Sequence, residues 1–173
     1  MDHASDYNVD GGLLIQITPI FIIKEAWQGR SDGIKFSHSG QDDCCTIAIE
    51  PIISEGIVRV EVIFENTLGW NRIIGIADAS CSFAAGRAPC GGLSHITDGI
   101  SGNQRYADGQ RVAVEVDMTT IPRRATFFVY DIEQPNFVIG IPEAIRFWVQ
   151  RLIQSTAKGV KGSKALEWGK EWK

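Results

Sequence analysis

Gly56-Ile57-Val58-Arg59-Val60-Glu61-Val62-Ile63-Phe64-Glu65 is the stretch that decides the fold. In an extended chain Val58, Val60, Val62 and Phe64 point one way, while Arg59, Glu61 and Glu65 point the other. That period of two marks a strand with one face on a core. Arg111-Val112-Ala113-Val114-Glu115-Val116-Asp117 repeats the pattern, with Val112, Val114 and Val116 inward, Ala113, Glu115 and Asp117 outward, and turn residues on both sides at Asp108-Gly109 and Thr119 to Pro122. Arg124 to Tyr130 is apolar on both faces and belongs inside a sheet or under other structure.

Shorter β-rich runs at 33–38, 45–50 and 72–77 complete a series of strands separated by Gly, Asn, Asp and Pro. The separations are too short for the crossover helices of a parallel sheet, so the pattern predicts an all-β antiparallel sandwich or barrel. Val58, Val60, Val62, Val112, Val114, Val116, Phe127 and Val129 should share its core. One segment resists. In Pro142 to Ile153 the residues Ile145, Trp148, Val149, Leu152 and Ile153 follow helical spacing behind Pro142 and Glu143, and pattern alone reads a helix. Residues 79–109, glycine-rich and weakly periodic, read as a long surface loop with one short strand around Leu93 to Ile96. Long structured loops are where binding residues gather.

A chain of 173 residues, 44% hydrophobic and 22% charged, suits one domain with a full core. The apolar runs Leu13 to Ile23 and Ile141 to Ile153 are interrupted by polar residues and fall short of a membrane span. The acidic start Met1-Asp2-His3-Ala4-Ser5-Asp6 lacks the order of a secretory signal, which makes the cytoplasm the default location. Cys44, Cys45, Cys81 and Cys90 form no Cys-x-x-Cys pair and read as free, inert thiols, a redox pair of Cys81 with Cys90 being the rival. The net charge of −4 hides a basic end: residues 157–173 carry five Lys against two Glu, which leaves −7 on the rest. So acidic a body argues against a nucleic-acid surface.

Taken in order, Gly56 to Val62, Ile74-Gly75-Ile76-Ala77-Asp78, Asp108 to Met118 and Arg124 to Val129 resemble a SPRY domain, and more narrowly the divergent SPRY-like modules of protist proteomes. Gln134 to Pro142 resembles the segment that places an apolar anchor before the last core strands. The resemblance covers roughly residues 30 to 149. It implies a concanavalin-like jelly-roll sandwich whose end loops grip peptides or proteins, with no catalytic residues and no cofactor. It also replaces the helix at 145–150 by a strand with Ile145, Phe147 and Val149 inward. The likeness stops after Gln150, where family members continue into one more core strand. Either Arg151 to Ser155 supplies a short one or the neighbouring strand is exposed, with residues 151–173 covering the open edge. The organisation expected is a loose lead-in at 1–11, a sandwich over 12–153 and a flexible basic tail at 154–173 bearing Trp168 and Trp172.

Enzymatic chemistry finds little support in the residues. His95, Asp98, Ser94 and Ser101 share the long loop, but no Gly-x-Ser-x-Gly elbow occurs. Asp42 with Asp43, and Glu61 with Glu65, read as solvated surface rather than acid and base pairs. Gly86 to Gly92 lacks the Lys-Ser or Lys-Thr ending of a phosphate loop. No zinc-ligand spacing is present. The expected function is recognition of a protein or peptide, with no nucleic acid, membrane or cofactor involved. The candidate contacts are Trp70, Asp78, Arg87, His95, Arg105, Tyr106, Asp131 and Glu133, because Arg and aromatic residues in loops combine hydrogen bonding with apolar area. The alternative is a lectin-like sandwich with Trp70 stacked on a sugar and Asp78 and Asn103 holding hydroxyls.

Overall fold

The computed structural model describes residues 20–39, 46–65, 67, 72–84 and 102–150 with their side chains, and the backbone of 154–161 and 170–171. The described strands are β1 (Ile20–Ile22), β2 (Gly29–Asp32), β3 (Lys35–His38), β4 (Thr46–Ile53), β5 (Ile57–Glu65), β6 (Ile73–Asp78), β7 (Arg111–Asp117), β8 (Arg124–Val129), β9 (Ile132–Glu133), β10 (Val138–Ile139), β11 (Ile145–Gln150), β12 (Gln154–Lys161) and β13 (Lys170–Glu171). They form two sheets. The smaller runs β1-β4-β11-β6; the larger runs β13-β10-β8-β7-β5-β12-β3-β2, with β9 beside β8. Every ladder is antiparallel except the short β10–β13 pair.

Register explains why the period-two residues meet. Val58, Val60 and Val62 stand opposite Val116, Val114 and Val112 across β5–β7, and Val114 and Val112 stand opposite Phe127 and Val129 across β7–β8. Their side chains leave one face of the larger sheet and meet Ile47, Ile49, Ile74, Ile76, Ile145, Phe147 and Val149 from the smaller one. The expected core set therefore lies in a single cluster. Each fully buried aliphatic residue there contributes roughly 1.5–3 kcal/mol relative to exposure.

Residues 145–150 form a strand, with Ile145, Phe147 and Val149 in the main core. Helical spacing misleads here because both faces of β11 are buried. Trp148 points out of the sandwich into a second cluster with Ala48, Ala77 and Phe83, so no polar alternation survives. The sheet also continues past residue 153, where the tail was expected to begin. β12 lies between β5 and β3, pairing Ser155 with Phe64 and with Phe36. The final strand is thus present and longer than the segment ending at Ser155 that the sequence offered, while the lead-in at 1–11 lies outside the described residues.

Two further expectations need correction. Glu61, Glu115 and Asp117 do face away from the core, yet all three are buried rather than solvated. Cys81 is disulfide-bonded, not a free thiol, and Cys44, Cys45 and Cys90 lie outside the described residues. Among the described residues no helix is long and apolar enough to cross a membrane.

Candidate recognition surface

β8 and β9 are joined by a two-residue turn, Tyr130-Asp131, since Val129 pairs with Ile132 and Phe128 with Glu133. Both turn residues have positive φ, 49° and 64°. A tight hairpin needs that left-handed pair to match the twist of its strands, and Asn-Gly or Asp-Gly usually supplies it. A tyrosine followed by an aspartate accepts it only at a cost of roughly 1–2 kcal/mol per residue. Local bonds hold the conformation in place. The Tyr130 amide donates to the Arg111 carbonyl, and the Asp131 carboxylate takes the guanidinium of Arg59 through Oδ1 at 2.6 Å and that of Arg111 through Oδ2. Arg59 also lies 4.2 Å from the centre of the Phe128 ring and 3.3 Å from Glu61. The turn is pinned from below, and the side chains of Tyr130 and of Ile132, which opens β9, stay in solvent: Tyr130 is 51% exposed and Ile132 62%.

Beside the hairpin runs the end of the long loop, residues 102–110, fastened at both ends. Asn103 exchanges two hydrogen bonds with the backbone of Asn136, and the Gln104 amide donates to Gln134 Oε1 at 2.6 Å. Gln134 in turn donates to the Ile132 carbonyl, so one side-chain amide separates this loop from the hairpin. Gly102 begins this stretch at φ +96°, a backbone conformation that glycine takes without strain. At the far end Asp108 accepts from the Thr67 amide and hydroxyl, and the Arg72 guanidinium spans Asp108, Thr67 and the Tyr106 carbonyl.

Between these anchors successive side chains diverge. Tyr106 is buried: its ring stacks on Phe64, centroids 5.8 Å apart, and its hydroxyl donates to the Arg72 carbonyl. It is a core residue, which corrects its expected role as a surface contact. Arg105 stands exposed, and no hydrogen bond or ion pair engages it among the described residues. Asp131 is exposed but committed to two arginines. Glu133 is half-buried and opposite Phe128. Asp78 ends β6 beside Ile145, whereas Arg72 and the loop anchor lie beyond the other end of that strand, roughly 20 Å away at strand rise. Its carboxylate binds the Ser80 amide and hydroxyl, which hold it below its ordinary pKa. The structure therefore does not bring Asp78 to this surface. Trp70, Arg87 and His95 lie outside the described residues, as does the short strand expected at 93–96.

No family model and no curated protein matches the chain. It is similar to a solved structure. That structure is the crystal structure of the SPRY domain of human HERC1, 11% identical in sequence, with a TM-score of 0.49 over 81% of this chain and 89% of that domain's.

The sugar-binding alternative is weakened by the same geometry. Asn103 spends both ends of its amide on Asn136, and Asp78 caps its own turn. Sequence reasoning missed Tyr130, which reads as the last residue of an apolar strand. The available signal was that a strand closing on Tyr-Asp and resuming at Ile132 leaves room only for a two-residue turn.

Proposed function

We propose that this sandwich is a recognition module that binds a protein or peptide through the hairpin tip and the neighbouring loop, and that it performs no catalysis. The observation that carries the reading is the Tyr130-Asp131 turn: adjacent non-glycine residues with left-handed backbone, clamped by two arginines, leave Tyr130 and Ile132 exposed, and Gln134 ties this hairpin to the loop on which Arg105 stands exposed. Residues kept in unfavoured conformations by surrounding contacts concentrate at functional sites. Tyrosine and arginine are also the residues most enriched at the energetic centres of interfaces. The likeness of its ordered sequence blocks to SPRY domains supports the same reading.

Affinity capture from native cell extract tests it, with the full chain and a Tyr130→Ala/Ile132→Ala variant run side by side. Loss of a discrete set of captured proteins by the variant is expected. Identical capture by both would contradict the assignment of this surface. A glycan array showing specific binding by the wild type would favour the lectin alternative.

A further inference from the structure

We propose that the surface formed by Arg105, Tyr130 and Ile132 takes a peptide segment carrying a single carboxylate side chain next to an apolar one; this rests on the recognition reading above. The other described arginines that hold the hairpin turn and the loop anchor already have anionic partners: Arg59 has Glu61 and Asp131, Arg111 has Asp131, and Arg72 has Asp108, while the exposed Arg30 stands on β2 at the far edge of the larger sheet. Arg105 is exposed and unpaired among the described residues, yet the backbone on either side of it is fixed by the Gln104–Gln134 bond and by the buried Tyr106 ring. A guanidinium on a fixed backbone is prepared for bidentate capture of a carboxylate, because less freedom is lost on binding.

The apolar half of the ligand follows from Tyr130 and Ile132, both more than half exposed and held next to the same loop through Gln134. The restriction to one carboxylate follows from charge. Arg59, Arg72 and Arg111 are already spent on carboxylates of the chain, which leaves Arg105 as the one unpaired cation of this hairpin and loop among the described residues, and the net charge of −4 disfavours a polyanion such as nucleic acid. A lone acid flanked by an apolar side chain satisfies Arg105 without that penalty.

The test is a phage-displayed random peptide library panned on the full chain. Peptides retained by the wild type are synthesised with and without Asp→Asn or Glu→Gln replacement. Their affinities are measured on wild type, Arg105→Ala and Tyr130→Ala/Ile132→Ala, each variant first checked for an unchanged melting curve. The expected peptides carry an acidic residue adjacent to an aliphatic or aromatic one. Neutralising that residue should weaken binding to wild type by about tenfold or more and leave binding to Arg105→Ala nearly unchanged, as coupled partners require. Peptides that depend on Tyr130 and Ile132 but ignore both Arg105 and their own acid, or that are basic, would overturn the carboxylate inference while leaving the site intact. Peptides indifferent to all three residues, or none retained over an Arg105→Ala/Tyr130→Ala/Ile132→Ala variant, would overturn the site reading and this inference together.

Discussion

Arg59 of β5 and Asp131 of the β8–β9 turn, 72 positions apart in sequence, meet at 2.6 Å. This contact, with the second arginine at Arg111, ties an outer hairpin to the middle of the larger sheet. Because Asp131 is 56% exposed, the ion pair itself adds little stability, about 1 kcal/mol or less after solvent screening. Its consequence is geometric, since it fixes which way Tyr130 and Ile132 face.

The left-handed turn gives a separation of stability from binding. Tyr130→Gly removes the Cβ clash and should leave the protein as stable as wild type or up to about 1 kcal/mol more so, whereas Tyr130→Val, β-branched at positive φ, should cost about 1–2 kcal/mol. Urea unfolding of the three proteins checks the order. A glycine variant clearly less stable than the valine variant would contradict the strained turn. Both variants should lose partner binding.

Arg72 is the hub of the loop anchor, and its side chain is only 17% exposed. Arg72→Ala strips hydrogen bonds from the Tyr106 carbonyl, Thr67 and Asp108 at once, with an expected cost of about 2–3 kcal/mol. In a double-mutant cycle with Thr67→Val the two changes should cost less together than in sum, by roughly 0.5–2 kcal/mol. Strict additivity in denaturant melts would mean that the network does not act as one unit.

Glu115 supplies a pH dependence. It is 2% exposed, and burial pushes its carboxyl up to about 7; Asp117 and Glu133 add to the rise, while Arg59 and Arg124 oppose it. The folded chain therefore keeps this proton through a range in which the unfolded chain, with the ordinary value of 4.5, has lost it. The native state then binds more protons, and stability falls as pH rises from about 4.5 to about 7. Glu115→Gln, which mimics the protonated form, should match wild type near pH 5 and exceed it near pH 8 by on the order of 2–3 kcal/mol. Thermal melts across that range decide it. A variant no more stable than wild type at the alkaline end would count against the buried carboxyl.

The legible part of the fold was the part written in alternation. Val58 to Phe64 and Val112 to Val116 declare an inner and an outer face by themselves, and antiparallel pairing follows once turns bound them. β11 was ambiguous because Trp148 is apolar on the outward face, which erases the period. β12 was illegible from its residues: Gln154-Ser155-Thr156-Ala157 has little apolar content, and its place is set by the ladders of β5 and β3 on either side. At the hairpin end, Arg105 and Asp131 were visible as polar loop residues. Tyr106 was misplaced because nothing local distinguishes a loop tyrosine that caps a core from one that meets solvent. The Arg72–Thr67–Asp108 anchor joins residues up to 41 positions apart and has no sequence period to betray it.

Site-specific photocrosslinking tests the recognition surface most directly. A benzophenone amino acid is placed at position 130, and in a separate protein at Ile121, which is 94% exposed in the β7–β8 turn at the opposite end of the sandwich. Irradiation in native extract should give discrete, competable crosslinked species from position 130 and none from position 121. Crosslinks of equal strength from both positions, or from position 121 alone, would contradict the claim that the hairpin end is where this protein meets its partner.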